Sequence, residues 1–210
     1  MGRATALSYA KAGAEGIAVG ARSDLKDLET QIQSAAKASG KKVPKVLKIK
    51  LDVVDTTSVK NAVRETERVF GKLDILINNA GYLSEFMPIG DDDTEDWWMN
   101  WDVNIRGLYM VTKAFLPLML KGGDKTIINL SSVGAHMLSP GASGYQTAKF
   151  ALLRFTEHLN VDHGSQGLLA YCIHPGAVMT ELAGKLPDEM HASEYRTGKP
   201  WERDADKDQF

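Results

Sequence analysis

The chain has 210 residues and a mass of 23.0 kDa, enough for one well-buried core and too short for two comfortable domains. Hydrophobic residues at 43%, charged residues at 25%, 19 Gly and 7 Pro exclude a disordered, collagen-like or coiled-coil chain. With 25 Lys plus Arg against 27 Asp plus Glu the formal net charge is -2, so no whole-domain basic field exists to hold nucleic acid.

A helical stripe opens the chain, with Ala4, Leu7 and Ala10 inside a helix from Arg3 to Lys11. Gly16 to Gly20 is a short apolar run that reads as a strand and ends in Ala21-Arg22-Ser23. Leu25, Leu28, Ile32 and Ala35 then recur at helical spacing until Gly40 stops them. Val46 to Val53 is a second strand. The next helical stripe, Val59, Ala62, Val63, Val69 and Phe70, has Asp55-Thr56 as its cap and Gly71 as its stop. Leu73 to Ile77 is a third strand running into Asn78-Asn79-Ala80-Gly81. Trp98 to Leu120 reads as one long helix that tolerates Pro117 near its end. Thr126 to Leu130 is a fourth strand, Tyr145 to Asp162 a helix, and Leu168 to Ile173 a fifth, buried strand.

Strands alternating with helices predict an α/β chain. Parallel strands with right-handed crossovers build a doubly wound sheet with helices on both faces, and its ligand lies beyond the carboxyl ends of the strands. The domain is expected over residues 1–190, with 191–210 an unpacked charged tail. Cys172 is the one cysteine and has no intrachain partner, which suits a reducing compartment. Lys113 and Lys121 bracket the best apolar run, short of the roughly 18 residues a membrane helix needs. Met1-Gly2-Arg3 carries no signal-peptide core, and Ala6 stands where a myristoylation signal requires Ser or Thr. The expectation is a cytoplasmic protein that binds neither membrane nor nucleic acid.

The sharpest constellation is Tyr145-Gln146-Thr147-Ala148-Lys149 at a helix start. Tyr and Lys four apart share a helix face, and a nearby cation favours phenolate, drawing the phenol toward acid–base use. A Tyr–Lys pair alone is a weak signal, but three strand ends converge with it. These are Asn79-Ala80-Gly81, Ser132 after Asn129-Leu130-Ser131, and His174-Pro175-Gly176 followed by Thr180.

These residues, in this order, resemble the short-chain dehydrogenase/reductase family. The resemblance rests on Asn78-Asn79-Ala80-Gly81, Asn104 in Val103-Asn104-Ile105, Ser132, Tyr145-x-x-x-Lys149 and Pro175-Gly176-x-x-x-Thr180, and on the family's Ser-to-Tyr spacing. It implies a Rossmann-like fold and hydride transfer between a nicotinamide cofactor and an alcohol or carbonyl carbon. Tyr145 would give or take the hydroxyl proton, and Ser132 would bond the oxygen where charge develops. Lys149 would bind the nicotinamide ribose and hold down the Tyr145 pKa, while Asn104 would place a water relaying protons to Lys149. Asp52 and Val53 match adenine-contacting positions; Asn79, Ala80 and Gly81 would line the adenosine side; Pro175, Gly176, Val178 and Thr180 would line the nicotinamide side. The family also pairs the helices Trp98–Leu120 and Tyr145–Asp162 across a two-fold axis, implying a homodimer or homotetramer.

Cofactor choice turns on the end of the first strand, where an acid favours NAD and an Arg accommodates the 2′-phosphate of NADP. Arg22 and Ser23 stand there, so NADP(H) is expected over NAD(H).

The chain departs from the family at both ends. Of the family's opening strand and glycine-rich turn, only the last glycine has a counterpart, Gly2, ahead of the first helix. That strand is central in the family's sheet, so the Val19 and Ile75 strands are expected to lack a neighbour on their inner edges, or the sheet to close in another way. An incomplete gene model or splice form would account for both ends.

Other features invite function less. Trp97, Trp98 and Trp101 read as packing. Asp91, Asp92, Asp93, Glu95 and Asp96 read as acids complementing a helix dipole, and no metal is expected. The pocket is expected to be apolar, lined by His136, Met137, Leu138 and Leu186. The main expectation is an NADP-dependent oxidoreductase acting on a small alcohol or ketone. A catalytically silent scaffold and a family member doing epimerase or lyase chemistry are the alternatives.

Overall fold

The computed structural model describes residues 1–176, 178, 180 and 182–185. The expected 191–210 tail and Leu186 lie outside the described residues. Along the chain come α1 (Gly2–Ala12), β1 (Gly16–Ala21), α2 (Leu28–Ala38), β2 (Lys45–Lys50), α3 (Thr56–Phe70) and β3 (Ile75–Asn78). They are followed by α4 (Thr94–Trp101), α5 (Leu108–Leu120), β4 (Thr126–Leu130), α6 (Ser143–His163) and β5 (Leu169–Ile173).

Local chemistry sets several of these bounds. Asp55 caps α3 by accepting from the Thr57 amide at 2.8 Å, and Gly71, at φ 73°, turns the chain out by donating to the Glu67 carbonyl. Asp93 caps α4 by accepting from the Asp96 amide at 2.8 Å, which accounts for one of the five clustered acids.

All strand pairs are parallel, but they form two sheets: β1 beside β2, and β3 beside β4 beside β5. Among the described residues no strand lies between β1 and β3, so both keep an unpaired edge where the sequence predicts a missing neighbour. Helices pack against both sheets. Ala6, Ala10, Leu28, Ile32 and Ala36 of α1 and α2 pack with Ile17 over the first sheet. On the other side α3 and α5 share a core of Val59, Ala62, Val111, Phe115 and Leu118, while Met119 and Leu159 bury Ile127 and Ala170 of β4 and β5.

Two expectations need correction. The long helix from Trp98 is interrupted: α4 ends at Trp101, and Asp102–Gly107 widens to π-helical hydrogen bonding before α5 resumes. Gly107 lets this segment press on the chain after β2, since a Cβ there would stand 2.8 Å from Val53 Cγ2. Strand β5 is buried on one face only. Ala170 faces α6, whereas Leu169, Tyr171 and Ile173 are 50%, 51% and 42% exposed, because β5 is an edge strand and no described helix covers its other side.

Candidate active site

Strand β4 delivers the chain to Ser132, which stands in extended backbone (φ -154°, ψ 156°) and accepts from the Gly134 amide at 3.1 Å. Its hydroxyl and the Tyr145 ring stand side by side, 3.4 and 3.6 Å from the position a Cβ on Gly134 would take. Helix α6 starts after Gly141, whose φ of 75° and approach to the Phe86–Met87 backbone leave no room for a side chain. One turn apart on α6, Tyr145 and Lys149 share a face, with Lys149 Nζ 5.6 Å from the centre of the Tyr145 ring. Lys149 is buried, and its ammonium donates to the Leu130 carbonyl at 2.8 Å.

Burial governs the titration of both groups. It lowers the Lys149 pKa to about 8, against a small opposing pull from Cys172. It raises that of Tyr145, with Ser132 drawing it the other way.

Asn104, in the π-helical segment, is buried, and both ends of its carboxamide are hydrogen-bonded. Its oxygen accepts from the Tyr82 amide at 3.1 Å and its nitrogen donates to the Tyr82 carbonyl at 2.9 Å. These two bonds clamp the loop after β3 to the π-helical segment. Gly81 keeps the space beside it open, since a Cβ there would lie 3.4 Å from Asn104 Oδ1 and 3.9 Å from Lys149 Nζ. Gly2 reaches the same crevice, its absent Cβ 3.1 Å from Asn79 Nδ2, and α1 begins there with no side-chain cap.

The remaining candidates lie further out. Arg22 and Ser23 are exposed beyond β1. The Asp52 carboxylate accepts from the Val54 amide at 3.1 Å, and Val53 packs on Gly107. After β5, Gly176 takes φ 83°, Val178 is exposed and Thr180 is partly buried. Asn104, Ser132, Tyr145, Lys149 and Gly81 thus meet at the ends of β3 and β4, joined by Gly2 and Asn79, while Arg22, Ser23, Asp52 and Val53 follow the other sheet.

Three contacts escape the sequence reading. Tyr82 donates its hydroxyl to Asp96, which also accepts from the Glu85 amide at 2.9 Å, and the carboxylate pushes the Tyr82 pKa up to about 12. Trp97 Nε1 donates to Ser143 Oγ at 2.9 Å, two residues before Tyr145. His174 Nδ1 accepts from the Val133 amide at 3.1 Å. Of the residues expected to line the pocket, Leu138 is exposed, and a small cleft of about 30 Å³ is lined by Asp92, Asp93, Asp96, Glu85 and Trp97 among others.

Comparison with known proteins identifies the family. A short chain dehydrogenase of Monascus purpureus is 52% identical over 192 residues, covering 91% of this chain and 66% of the relative. One of Monascus ruber is 44% identical over 194 residues, covering 92% and 64%. The chain thus spans about two thirds of the length of these curated relatives. The crystal structure of a levodione reductase superposes with a TM-score of 0.78 at 27% identity, over 87% of this chain and 69% of that one. An NAD+-bound xylitol dehydrogenase gives 0.71 at 28%, over 85% and 66%. Residues 1–191 match the family model described as short chain dehydrogenase. The chain belongs to the short-chain dehydrogenase family.

Proposed function

We propose that this protein is an NADP-dependent oxidoreductase that interconverts a small carbonyl compound and its alcohol. The observation that carries the reading is Ser132 and Tyr145 side by side, with the buried ammonium of Lys149 one helical turn from the tyrosine. A nicotinamide dinucleotide supplies or accepts the hydride when bound. Ser132 orients the substrate oxygen and stabilises charge developing on it. Tyr145, protonated at neutral pH, gives that oxygen its proton in the reducing direction and takes it back in the other.

The residues fit such a cofactor. Lys149 offers its remaining ammonium hydrogens to a ribose, and Gly81 leaves the space for one. The uncapped N-terminus of α1, with Gly2 against Asn79, offers free backbone amides and a positive dipole end to phosphate. Arg22, exposed at the end of β1, favours the 2′-phosphate of NADP over the NAD ribose. Tyr109, Phe150 and Val161 are large apolar side chains exposed on α5 and α6, which supports pairing of these helices in a homodimer or homotetramer. Asn104, Val178, Thr180 and the Asp52–Val53 pair complete the site in this reading.

Thermal shift with NADPH, and with NADH in parallel, tests it. Binding to the folded state alone adds about 2.7 kcal/mol at one hundred times the dissociation constant. A saturable shift with NADPH is expected. A cooperative melt that neither nucleotide moves favours a scaffold role instead.

A further inference from the structure

Resting on the oxidoreductase reading above, we propose that His174 is a positioning residue for Ser132: its imidazole holds the backbone on the far side of the serine and so fixes where the hydroxyl points. The β4–β5 ladder ends at the Leu130–Ile173 pair, and the Ser131 amide continues it one step by donating to the Ile173 carbonyl at 2.8 Å. Ser132 then leaves the sheet. The next backbone donor that needs an acceptor is Val133 N–H. Strand β5 offers it no carbonyl, because Pro175 and Gly176 carry that strand away, and His174 Nδ1 takes the place at 3.1 Å.

Ser132 is therefore held on both flanks by β5, through Ile173 on one side and His174 on the other. Its own Oγ accepts from the Gly134 amide at 3.1 Å, which leaves the hydroxyl hydrogen to be directed at Tyr145 or at a substrate oxygen. To accept, Nδ1 must carry its lone pair, so the neutral ring keeps its proton on Nε2. Cutting the Val133 tie frees the turn Val133–Ala135 to rotate and spreads the direction of the Ser132 hydroxyl. His174 is exposed and makes no contribution to the three core clusters, so its loss leaves the fold intact. An Asn side chain places an acceptor oxygen where Nδ1 stands, whereas Ala places none.

The test compares the whole chain with His174→Ala and His174→Asn. Amide hydrogen exchange reads the structural half without turnover: the Val133 amide is protected in the wild type, loses that protection in His174→Ala and regains it in His174→Asn. Equal exchange in all three overturns the proposal whatever the activity. The kinetic half uses NADPH-dependent carbonyl reduction, with Tyr145→Phe as the dead control. In His174→Ala, kcat falls between about 10- and 100-fold with the KM for NADPH unchanged, and His174→Asn recovers most of it, since slight misplacement of a reacting group has an effect of that size. An unchanged kcat in His174→Ala, or a fall that Asn does not restore, overturns the positioning role. A wild-type chain that reduces no carbonyl while its Val133 amide stays protected refutes the oxidoreductase reading, and the catalytic part of this proposal falls with it.

Discussion

Lys149 Nζ donates to the Leu130 carbonyl at 2.8 Å, tying α6 to the last residue of β4 two positions before Ser132. The ammonium is nearly fully buried, and the fold carries a cost for that. Its pKa falls from 10.5 to about 8. Below pH 8 the folded and unfolded chains both hold the proton, and the full penalty applies. Between pH 8 and 10.5 the unfolded chain binds more protons than the folded one, so stability rises with pH.

The first prediction is therefore that wild-type stability climbs relative to Lys149→Met between pH 8 and 10, by up to about 3 kcal/mol. Tyr145 and Tyr82, with pKa values raised above the ordinary, act in the opposite sense only once an unfolded tyrosine ionises, above about pH 10. Urea melts across that range check it. Parallel stability curves for the two proteins would show that burial does not perturb Lys149.

In the proposed function Tyr145 moves the proton, so its hydroxyl should matter to the rate and little to cofactor binding. Tyr145→Phe should lower NADPH-dependent carbonyl reduction by at least about 100-fold, the low end of what a positioned general acid contributes. The thermal shift given by NADPH should survive. Residual activity within a few-fold of the wild type would mean that another group supplies the proton.

The strands were legible to within a few residues because each is a short apolar run closed by polar or glycine signals, as at Leu73–Asn79. The Tyr145–Lys149 face was legible because four residues make nearly one helical turn. Contacts whose partners are distant in sequence were not. The π-helical stretch around Asn104 keeps the apolar periodicity of the helices on either side, so nothing in the pattern marks it. His174 and Val133 are 41 residues apart, and Tyr82 and Asp96 are 14 apart across a loop without repeat or period. One signal was available for Asp96: the acids there are more numerous than a single cap requires, and Asp93 is the one that caps α4.

Arg22 stands exposed after the first strand and makes no ion pair with another described residue, which suits it to meet a phosphate. Reversing its charge should reverse the cofactor choice. Arg22→Asp is expected to lower the ratio of NADPH to NADH affinity by about tenfold or more, since one charge-assisted hydrogen bond lost is worth about 1.5 kcal/mol or more. Parallel titrations with the two nucleotides check it. An unchanged ratio would place the selecting residue elsewhere.

A buried polar chain runs under the site. Asn78 Nδ2 donates to Thr112 Oγ1 at 3.0 Å and to Asn129 Oδ1 at 2.8 Å, and Asn129 Nδ2 donates to Thr156 Oγ1 at 2.9 Å. It links α5 and α6 through the paired residues of β3 and β4, directly before Asn79 and three residues before Ser132. Asn129 is 0% exposed, so replacing it with Leu leaves an Asn78 N–H without an acceptor and without water. The expected loss is about 1–3 kcal/mol, the desolvation cost of one orphaned buried group. Removing both asparagines removes the orphan as well, so Asn78→Leu combined with Asn129→Leu should cost less than the sum of the single changes. Denaturant melts of the four proteins give the coupling directly. Strict additivity would mean that the two side chains do not act as one unit, and the link between the helices beneath Ser132 would have to be sought in apolar packing alone.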